Sequence, residues 1–93
     1  MAAVKVVVPA VLASCTKGEK EIDVSGSTVS EIIVSLARQY GDSFERRVLD
    51  ASGKPRSVLN LYVNGKNVRF LDGLDTQLRD GDEVMLLPAV SGG

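Results

Sequence analysis

The sequence contains no histidine, no Gly-x-x-x-x-Gly-Lys-Ser/Thr phosphate loop and no Cys-x-x-Cys pair. The chain therefore has no recognisable loop for binding nucleotide phosphates and no dithiol for redox chemistry. Any ATP-dependent activation of this protein would have to come from a separate enzyme. We predict that the chain is not an enzyme, with no catalytic residue, no metal site and no bound cofactor.

An excess of charge of either sign is also missing, since eleven Lys and Arg residues stand against twelve Asp and Glu. No segment concentrates the positive charge that phosphate neutralisation needs, so we expect no nucleic-acid partner. The apolar runs fall short of the roughly twenty residues that span a bilayer, so no membrane partner is expected. The start of the chain lacks the pattern of a signal peptide, and we expect a cytoplasmic protein.

Cysteine occurs once, at Cys15, and cannot form an internal disulfide. A single unpaired cysteine agrees with a reducing compartment. We interpret Cys15 as a small residue in the turn after the first strand, because only Lys17 nearby would lower the pKa of its thiol. A reactive thiol is the alternative.

The feature that the chain does have is an apolar strand leading into a diglycine. Residues 84–88 read Val-Met-Leu-Leu-Pro, and residues 89–93 read Ala-Val-Ser-Gly-Gly. Glycine has no Cβ, so such an end can thread a narrow channel and let a partner's catalytic groups approach its carbonyl. Extended, residues 89–93 would reach about 17 Å. We predict a folded domain over residues 1–88 and a flexible tail over 89–93.

The chemistry of a carboxylate limits what this end can do, because a carboxylate reacts only after it gains a leaving group. Adenylation by ATP supplies one. Sulfur can then attack the acyl adenylate to give a thiocarboxylate, or a thiol or amine can attack it to give a conjugate. We predict that Gly93 is the modified residue and that Gly92 provides clearance. The plainest alternative is a frayed end without a role.

The rest of the pattern predicts an α+β domain. Thr28 and Glu31 form a capping box ahead of an amphipathic helix that continues to Tyr40, with Gly41 closing it in a left-handed conformation. Strands are predicted at residues 4–8, 19–24, 58–63, 68–70 and 84–88, and Asn64 with Gly65 is typical of a tight hairpin turn. Residues 44–49 could form a short turn of helix before a loop. We interpret Arg46 and Arg47 as a solvated charge pair on a loop; contact with an acidic partner is the alternative.

These elements sum to a β-grasp, or ubiquitin-like, arrangement: a mixed sheet of four to five strands with one main helix across it. We expect the first and last strands to be parallel central neighbours, because a right-handed crossover can join them. In the phase that we predict, Leu59, Leu61 and Val63 face the helix.

The closing residues resemble a known family. The run Asp-Gly-Asp-Glu-Val at 80–84, joined by a proline-containing strand to the diglycine, is similar to the MoaD/ThiS sulfur carriers. The resemblance covers nearly the whole chain and is strongest to the CysO type, through Asn-Leu-Tyr-Val-Asn at 60–64, Val-Arg-Phe at 68–70 and Pro-Ala-Val at 88–90.

The resemblance implies two partners. An E1-like enzyme of the MoeB/ThiF kind would adenylate Gly93 with ATP and help convert it to a thiocarboxylate. A biosynthetic enzyme would then accept the sulfur for cysteine, for a thio-cofactor or for a specialised thio-metabolite. The resemblance does not decide among these acceptors.

We predict a docking patch for these partners on the sheet face that points away from the helix. Its residues are Tyr62, Met85 and Leu87, with Phe70 beside them. The alternative is that the insertion at residues 42–57 covers some of them. A ubiquitin-like modifier, conjugated through Gly93 to lysines, and a tail that only plugs a partner are the other functions that the same tail permits.

Overall fold

Five strands form one mixed sheet in the computed structural model, which describes residues 2–88. The strands are β1 (Ala2–Val7), β2 (Glu21–Gly26), β3 (Leu59–Val63), β4 (Lys66–Asn67) and β5 (Glu83–Pro88). Their order is β2-β1-β5-β3-β4, with β1 and β5 parallel and the other neighbours antiparallel. The prediction that the first and last strands are parallel central neighbours is confirmed.

The apolar face of α1 (Val29–Tyr40) covers one side of this sheet. The Thr28 hydroxyl accepts a hydrogen bond from the Glu31 N–H at 3.2 Å, as the capping box predicts. The Glu31 carboxylate accepts from the Ser27 N–H at 2.8 Å, one residue earlier than the usual box. The buried residues of the helix are Val29, Ile32, Ile33, Leu36 and Tyr40. No helix among residues 2–88 is long and apolar enough to cross a membrane.

Gly41 ends α1 and also begins a second helix, α2 (Asp42–Val48). Its φ of 68° requires glycine, but its ψ of −143° is not the left-handed helical value that we predicted. The reason is that the chain enters α2 at once: the N–H groups of Phe44 and Glu45 both donate to the Gly41 carbonyl at 3.1 Å.

The insertion that contains α2 contributes to the core. Phe44 and Val48 are completely buried. The helix packs against α1 and against a 3-10 helix, Ala10–Thr16, which follows β1. The helical part of the insertion therefore lies on the α1 side of the sheet. Arg46 and Arg47 are exposed, although they lie on α2 and not on a loop.

The predicted strand at residues 68–70 is wrong. Asn64 and Gly65 do form the hairpin turn, with φ values of 51° and 85°, but the partner strand β4 is only two residues long. The Asn67 side chain accepts from the Arg69 N–H at 2.9 Å and begins a 3-10 helix, Val68–Phe70. This turn buries Val68 and leaves Phe70 82% exposed.

The second strand begins two residues later than predicted, at Glu21. Glu19 belongs to the preceding turn because its carbonyl accepts from the Thr16 hydroxyl at 2.7 Å and its N–H donates to the Thr16 carbonyl at 2.9 Å. Between β4 and β5 lies one further short 3-10 helix, Gly73–Asp75.

Candidate functional site

β5 is the strand that leads to the predicted reactive end. Glu83, Val84 and Met85 are paired to β1 on one side, and β3 pairs the strand from Val84 to Pro88 on the other. Pro88 is held opposite Leu59, the first residue of β3. The last three residues of β5, from Leu86 to Pro88, are therefore paired with a neighbouring strand on one side only, which is β3.

The predicted modified residue Gly93 and the clearance residue Gly92 follow Pro88 in the sequence. Both lie outside the described residues, as does the predicted tail at 89–93. Their roles therefore stay predictions, and so does the domain boundary after residue 88.

The Asp-Gly-Asp motif before β5 is a hydrogen-bonded clamp. One Asp82 carboxylate oxygen accepts from the Arg79 N–H at 2.8 Å, and the other accepts from the Asn64 side-chain amide at 2.9 Å. The Asp80 carboxylate accepts from the Ala3 N–H at 2.8 Å. The Gly81 N–H donates to the Ala3 carbonyl at 2.9 Å. The motif therefore ties the start of β5 to β1 and to the hairpin turn.

The electrostatics of this clamp favour an ionised carboxylate. The Arg79 N–H, followed by the Asn64 amide, holds the pKa of Asp82 below its usual value. The carboxylate thus accepts both bonds in its charged form, in which hydrogen bonds are strongest. In sequence the motif was only a turn and a family signature; the structure shows that it orients β5.

The outward face of the sheet carries three of the four predicted docking residues. Tyr62 of β3 lies directly opposite Met85 of β5, and Leu87 lies opposite Asn60. Tyr62 and Met85 are half-buried, and Leu87 is 38% exposed. Leu59, Leu61 and Val63 are buried on the helix side, so the predicted strand phase is confirmed. The docking role itself stays a prediction.

The fourth predicted docking residue, Phe70, is not in register with these three. It lies on the 3-10 helix after β4, outside the strands, with 82% of its surface exposed. Its ring is the most exposed large apolar side chain in the described part of the chain. The structure therefore places Phe70 on the turn that follows the edge strand β4, and not on a strand of the outward face.

Sequence reasoning missed Val7 as a member of the same face. Val7 is half-buried, alternates with the fully buried Val6, and lies beside Met85 in the parallel pairing of β1 with β5. Alternation along β1 indicates that Val7 points outward, but only the register shows that it continues the row through Met85 to Tyr62. The apolar row spans three strands.

Cys15 is not placed as an activated nucleophile. Its thiol is 4% exposed and donates to the Leu12 carbonyl at 2.9 Å. Burial raises the pKa of the Cys15 thiol, and the charge of Arg47 opposes this rise only in part. The position favours a packing role in the first 3-10 helix. Among residues 2–88, no group of three or more Cys, His, Asp or Glu side chains could hold a metal ion.

A mixed five-stranded sheet with central parallel strands, crossed by one main helix, defines a ubiquitin-like β-grasp protein. Residues 6–93 match the ThiS family, and the chain belongs to that family.

Individual relatives agree with this assignment. The chain is 42% identical over 91 residues to the sulfur carrier protein CysO of Mycobacterium tuberculosis, covering 97% of this chain and 98% of the relative. It matches the Amycolatopsis orientalis structure of the BexX/CysO complex with a TM-score of 0.85 and 38% identity, over 98% of this chain and 100% of the other.

A third similar structure has a different name. Small archaeal modifier protein 1 from Methanosarcina acetivorans matches with a TM-score of 0.85 and 35% identity, over 100% of this chain and 98% of that one. The family match and the similarity to CysO confirm the sequence-based expectation of a sulfur carrier protein of the CysO type.

Proposed function

We propose that this chain carries sulfur as a thiocarboxylate on Gly93. A separate E1-like enzyme of the MoeB/ThiF kind binds the tail and ATP. The Gly93 carboxylate attacks the α-phosphate of ATP, which forms an acyl adenylate and releases pyrophosphate. Hydrosulfide, or a sulfur donor equivalent to it, then attacks the acyl carbon and displaces AMP. The product is a thiocarboxylate, whose sulfur is nucleophilic.

The observation that carries this proposal is the match to the ThiS family, which runs through residue 93 and includes the diglycine. The clamp at the start of β5 supports it, because Asp82 and Asn64 fix the strand that directs the chain toward those residues. The absence of histidine and of a phosphate loop from the sequence agrees with activation by another protein.

The outward sheet face is the surface that we propose for docking. Met85 lies between Val7 and Tyr62, and Leu87 continues the row toward the end of β5. This row of apolar side chains on and beside β5 would let a partner bind the domain while residues 89–93 enter the partner's active site. The BexX/CysO complex of a relative supports stable pairing of such a carrier with another protein.

The acceptor of the sulfur is a biosynthetic enzyme in this proposal. Similarity to CysO favours cysteine formation, while a thio-cofactor or thio-metabolite acceptor fits the same tail chemistry. The thiocarboxylate sulfur would attack an electrophilic carbon of the acceptor's substrate, either displacing a leaving group from that carbon or adding to a carbon–carbon double bond that takes up a proton, and would so form a thioester. Hydrolysis of the resulting thioester or its equivalent would return the Gly93 carboxylate.

Intact mass tests the proposal. The protein is incubated with ATP, sulfide and the MoeB/ThiF-type enzyme of its own organism. Replacement of one carboxylate oxygen by sulfur adds roughly 16 Da, and fragmentation must place the gain on residue 93. The proposal would be overturned if the mass of this protein did not increase although the same enzyme loads another carrier with sulfur.

A ubiquitin-like modifier is the second candidate, favoured by the similarity to small archaeal modifier protein 1. The same acyl adenylate would then be passed to a lysine amine of another protein. Antibody detection of tagged protein in the native host separates the two functions. Bands of higher mass that disappear when Gly93 is deleted support the modifier, and a thiocarboxylate on the free protein supports the carrier.

A further inference from the structure

Three arginines lie at the end of the sheet where β5 ends. The Leu59 N–H donates to the Arg56 carbonyl at 2.9 Å, and Leu59 is the partner of Pro88. The Arg56 guanidinium in turn donates to the Arg46 carbonyl at 3.2 and 2.9 Å through Nε and Nη2. This chain of contacts connects Pro88 to the last turn of α2.

The third arginine, Arg47, joins the same end of the molecule to the segment after β1. Its Nη2 donates to the Val11 carbonyl at 3.1 Å. Val11 is in the 3-10 helix that begins three residues past the end of β1. Because β1 is parallel to β5, this helix also lies toward the end of the sheet at which β5 finishes.

The contacts restrict the side chains of Arg47 and Arg56 without neutralising them. The guanidinium groups of Arg47 and Arg56 are bonded to neutral carbonyl groups, which leaves other N–H donors of each fork for a partner. Among residues 2–88 the ion pair within 4 Å is Lys5 with Glu21, and none of the three arginines takes part in one. The charge of this surface is therefore available.

The surroundings suit a protein partner. Val11 is 60% exposed beside Arg47, and Val58, which follows Arg56 by two residues, is 56% exposed. Arg46 and Arg47 also line an open cavity of about 340 Å³, which contains one acidic residue, Asp42. Apolar side chains among cations are typical of protein interfaces, in which Arg is enriched and Lys is depleted.

We propose that Arg46, Arg47 and Arg56 form a basic docking surface for an acidic, Asp- and Glu-rich surface on the activating enzyme, beside the channel that receives residues 89–93. This inference rests on the proposed function. Arginine forks bind carboxylates in two-point contacts, and restricted forks lose less freedom on binding. Opposite charge around the channel would also orient the carrier so that its tail arrives first.

The test is ATP–pyrophosphate exchange by the MoeB/ThiF-type enzyme, measured against carrier concentration. Arg46→Glu is the informative variant, because its side chain makes none of the hydrogen bonds described above while its carbonyl remains for Arg56. Lys66→Glu is the matched control: it has the same charge change, is exposed, and lies at the hairpin turn at the opposite end of β3.

We expect Arg46→Glu to raise the carrier concentration for half-maximal exchange about tenfold at about 0.05 M salt, with the maximal rate unchanged. Lys66→Glu should change it less than about twofold, and Arg46→Gln should fall between them. At about 0.5 M salt the difference between the two Glu variants should shrink, because added ions screen exposed charges.

Equal effects of Arg46→Glu and Lys66→Glu at low salt would overturn the inference. If circular dichroism shows that Arg46→Glu fails to fold, the salt dependence of the wild-type protein provides the test. A carrier concentration for half-maximal exchange that does not rise with salt would also overturn the inference. A different result would contradict the proposed function itself: no exchange with the wild-type protein, although the same enzyme is active on another carrier. The two failures are therefore distinguishable.

Discussion

Asn64 and Asp82 join the hairpin turn between β3 and β4 to the start of β5. The Asn64 amide nitrogen donates to Asp82 at 2.9 Å, and its amide oxygen accepts from the Glu83 N–H at 3.0 Å. This pair fixes the register in which Val63 lies opposite Val84. A slip of one residue would exchange the buried and outward side chains of β5. The contact therefore supports the register that places Met85 on the outward face.

The first prediction concerns the stability contributed by Asp82. Asp82→Asn leaves one oxygen for two donors, the Arg79 N–H and the Asn64 amide, so one donor loses its acceptor. We expect a loss of about 1–2 kcal/mol in the free energy of unfolding at pH 7. Urea denaturation followed by circular dichroism measures it.

The same variant should change the dependence of stability on pH. The pKa of Asp82 is lower in the folded protein than its ordinary value of about 3.9. Its contribution is thus complete above that value and is lost as the pH falls through the folded pKa. Between about pH 5 and pH 2 the wild type should lose more stability than Asp82→Asn. Asp75→Asn, in an exposed 3-10 helix, is the control; parallel curves for wild type and Asp82→Asn would contradict the assignment.

The second prediction is that α2 is part of the cooperative core. Phe44 has no exposed surface, so Phe44→Ala should cost about 3–5 kcal/mol in the free energy of unfolding. That is a large part of the stability of a small domain. Val34→Ala, at a position 46% exposed on α1, should cost much less. Similar midpoints in urea for the two variants would show that α2 unfolds separately from the sheet.

The sequence predicted the parts of the fold that local patterns specify. The Thr28–Glu31 box located the start of α1, the Asn64–Gly65 pair located the hairpin turn, and alternation along β5 separated Val84 from Met85. Each of these signals acts within a few residues, so it is readable without knowledge of the tertiary structure. The expected parallel pairing of the end strands followed from chain connectivity.

The errors in the predicted fold and site have two causes. In one, a side chain forms hydrogen bonds with the backbone that replace strand pairing. In the other, the positions depend on the register between strands, which the sequence alone does not give. Val68 and Phe70 have strong strand propensity, but the Asn67 side chain begins a 3-10 turn and the core takes Val68. Val7 could not be joined to Met85 before the pairing of β1 with β5 was known. The arginine surface depends on bonds to carbonyl groups distant in the sequence, such as Arg47 to Val11, which composition does not encode.

The third prediction tests the proposed sheet-face docking. Leu87→Glu places a charge on the outward face at a position 38% exposed, so the fold should tolerate it. We expect the carrier concentration for half-maximal ATP–pyrophosphate exchange to rise about tenfold, the effect of losing one well-packed interface anchor. Thermal unfolding should change little.

Val34→Glu is the matched control for this variant, because it makes the same kind of change at an exposed apolar residue on α1. If Val34→Glu impairs exchange as much as Leu87→Glu does, the loss is not specific to the sheet face, and the proposed docking role of Leu87 is contradicted. Phe70→Ala adds a separate measurement. A normal exchange rate for that variant would remove Phe70 from the patch and leave Tyr62, Met85 and Leu87, with Val7 in the same row.

The fourth prediction concerns the diglycine. Gly92→Val adds a branched side chain where the partner must approach the neighbouring carbonyl, so we expect adenylation to fall about a hundredfold, as misplacement of a reacting group does. Ser91→Ala, one residue earlier, should keep near-normal activity, and both variants should unfold at the wild-type temperature.

Deletion of Gly93 separates activation of the tail from simple insertion into a partner. A carrier or a modifier loses all function when Gly93 is deleted, whereas a tail that only plugs its partner keeps its function. Full partner activity with the deleted protein would therefore refute activation at Gly93.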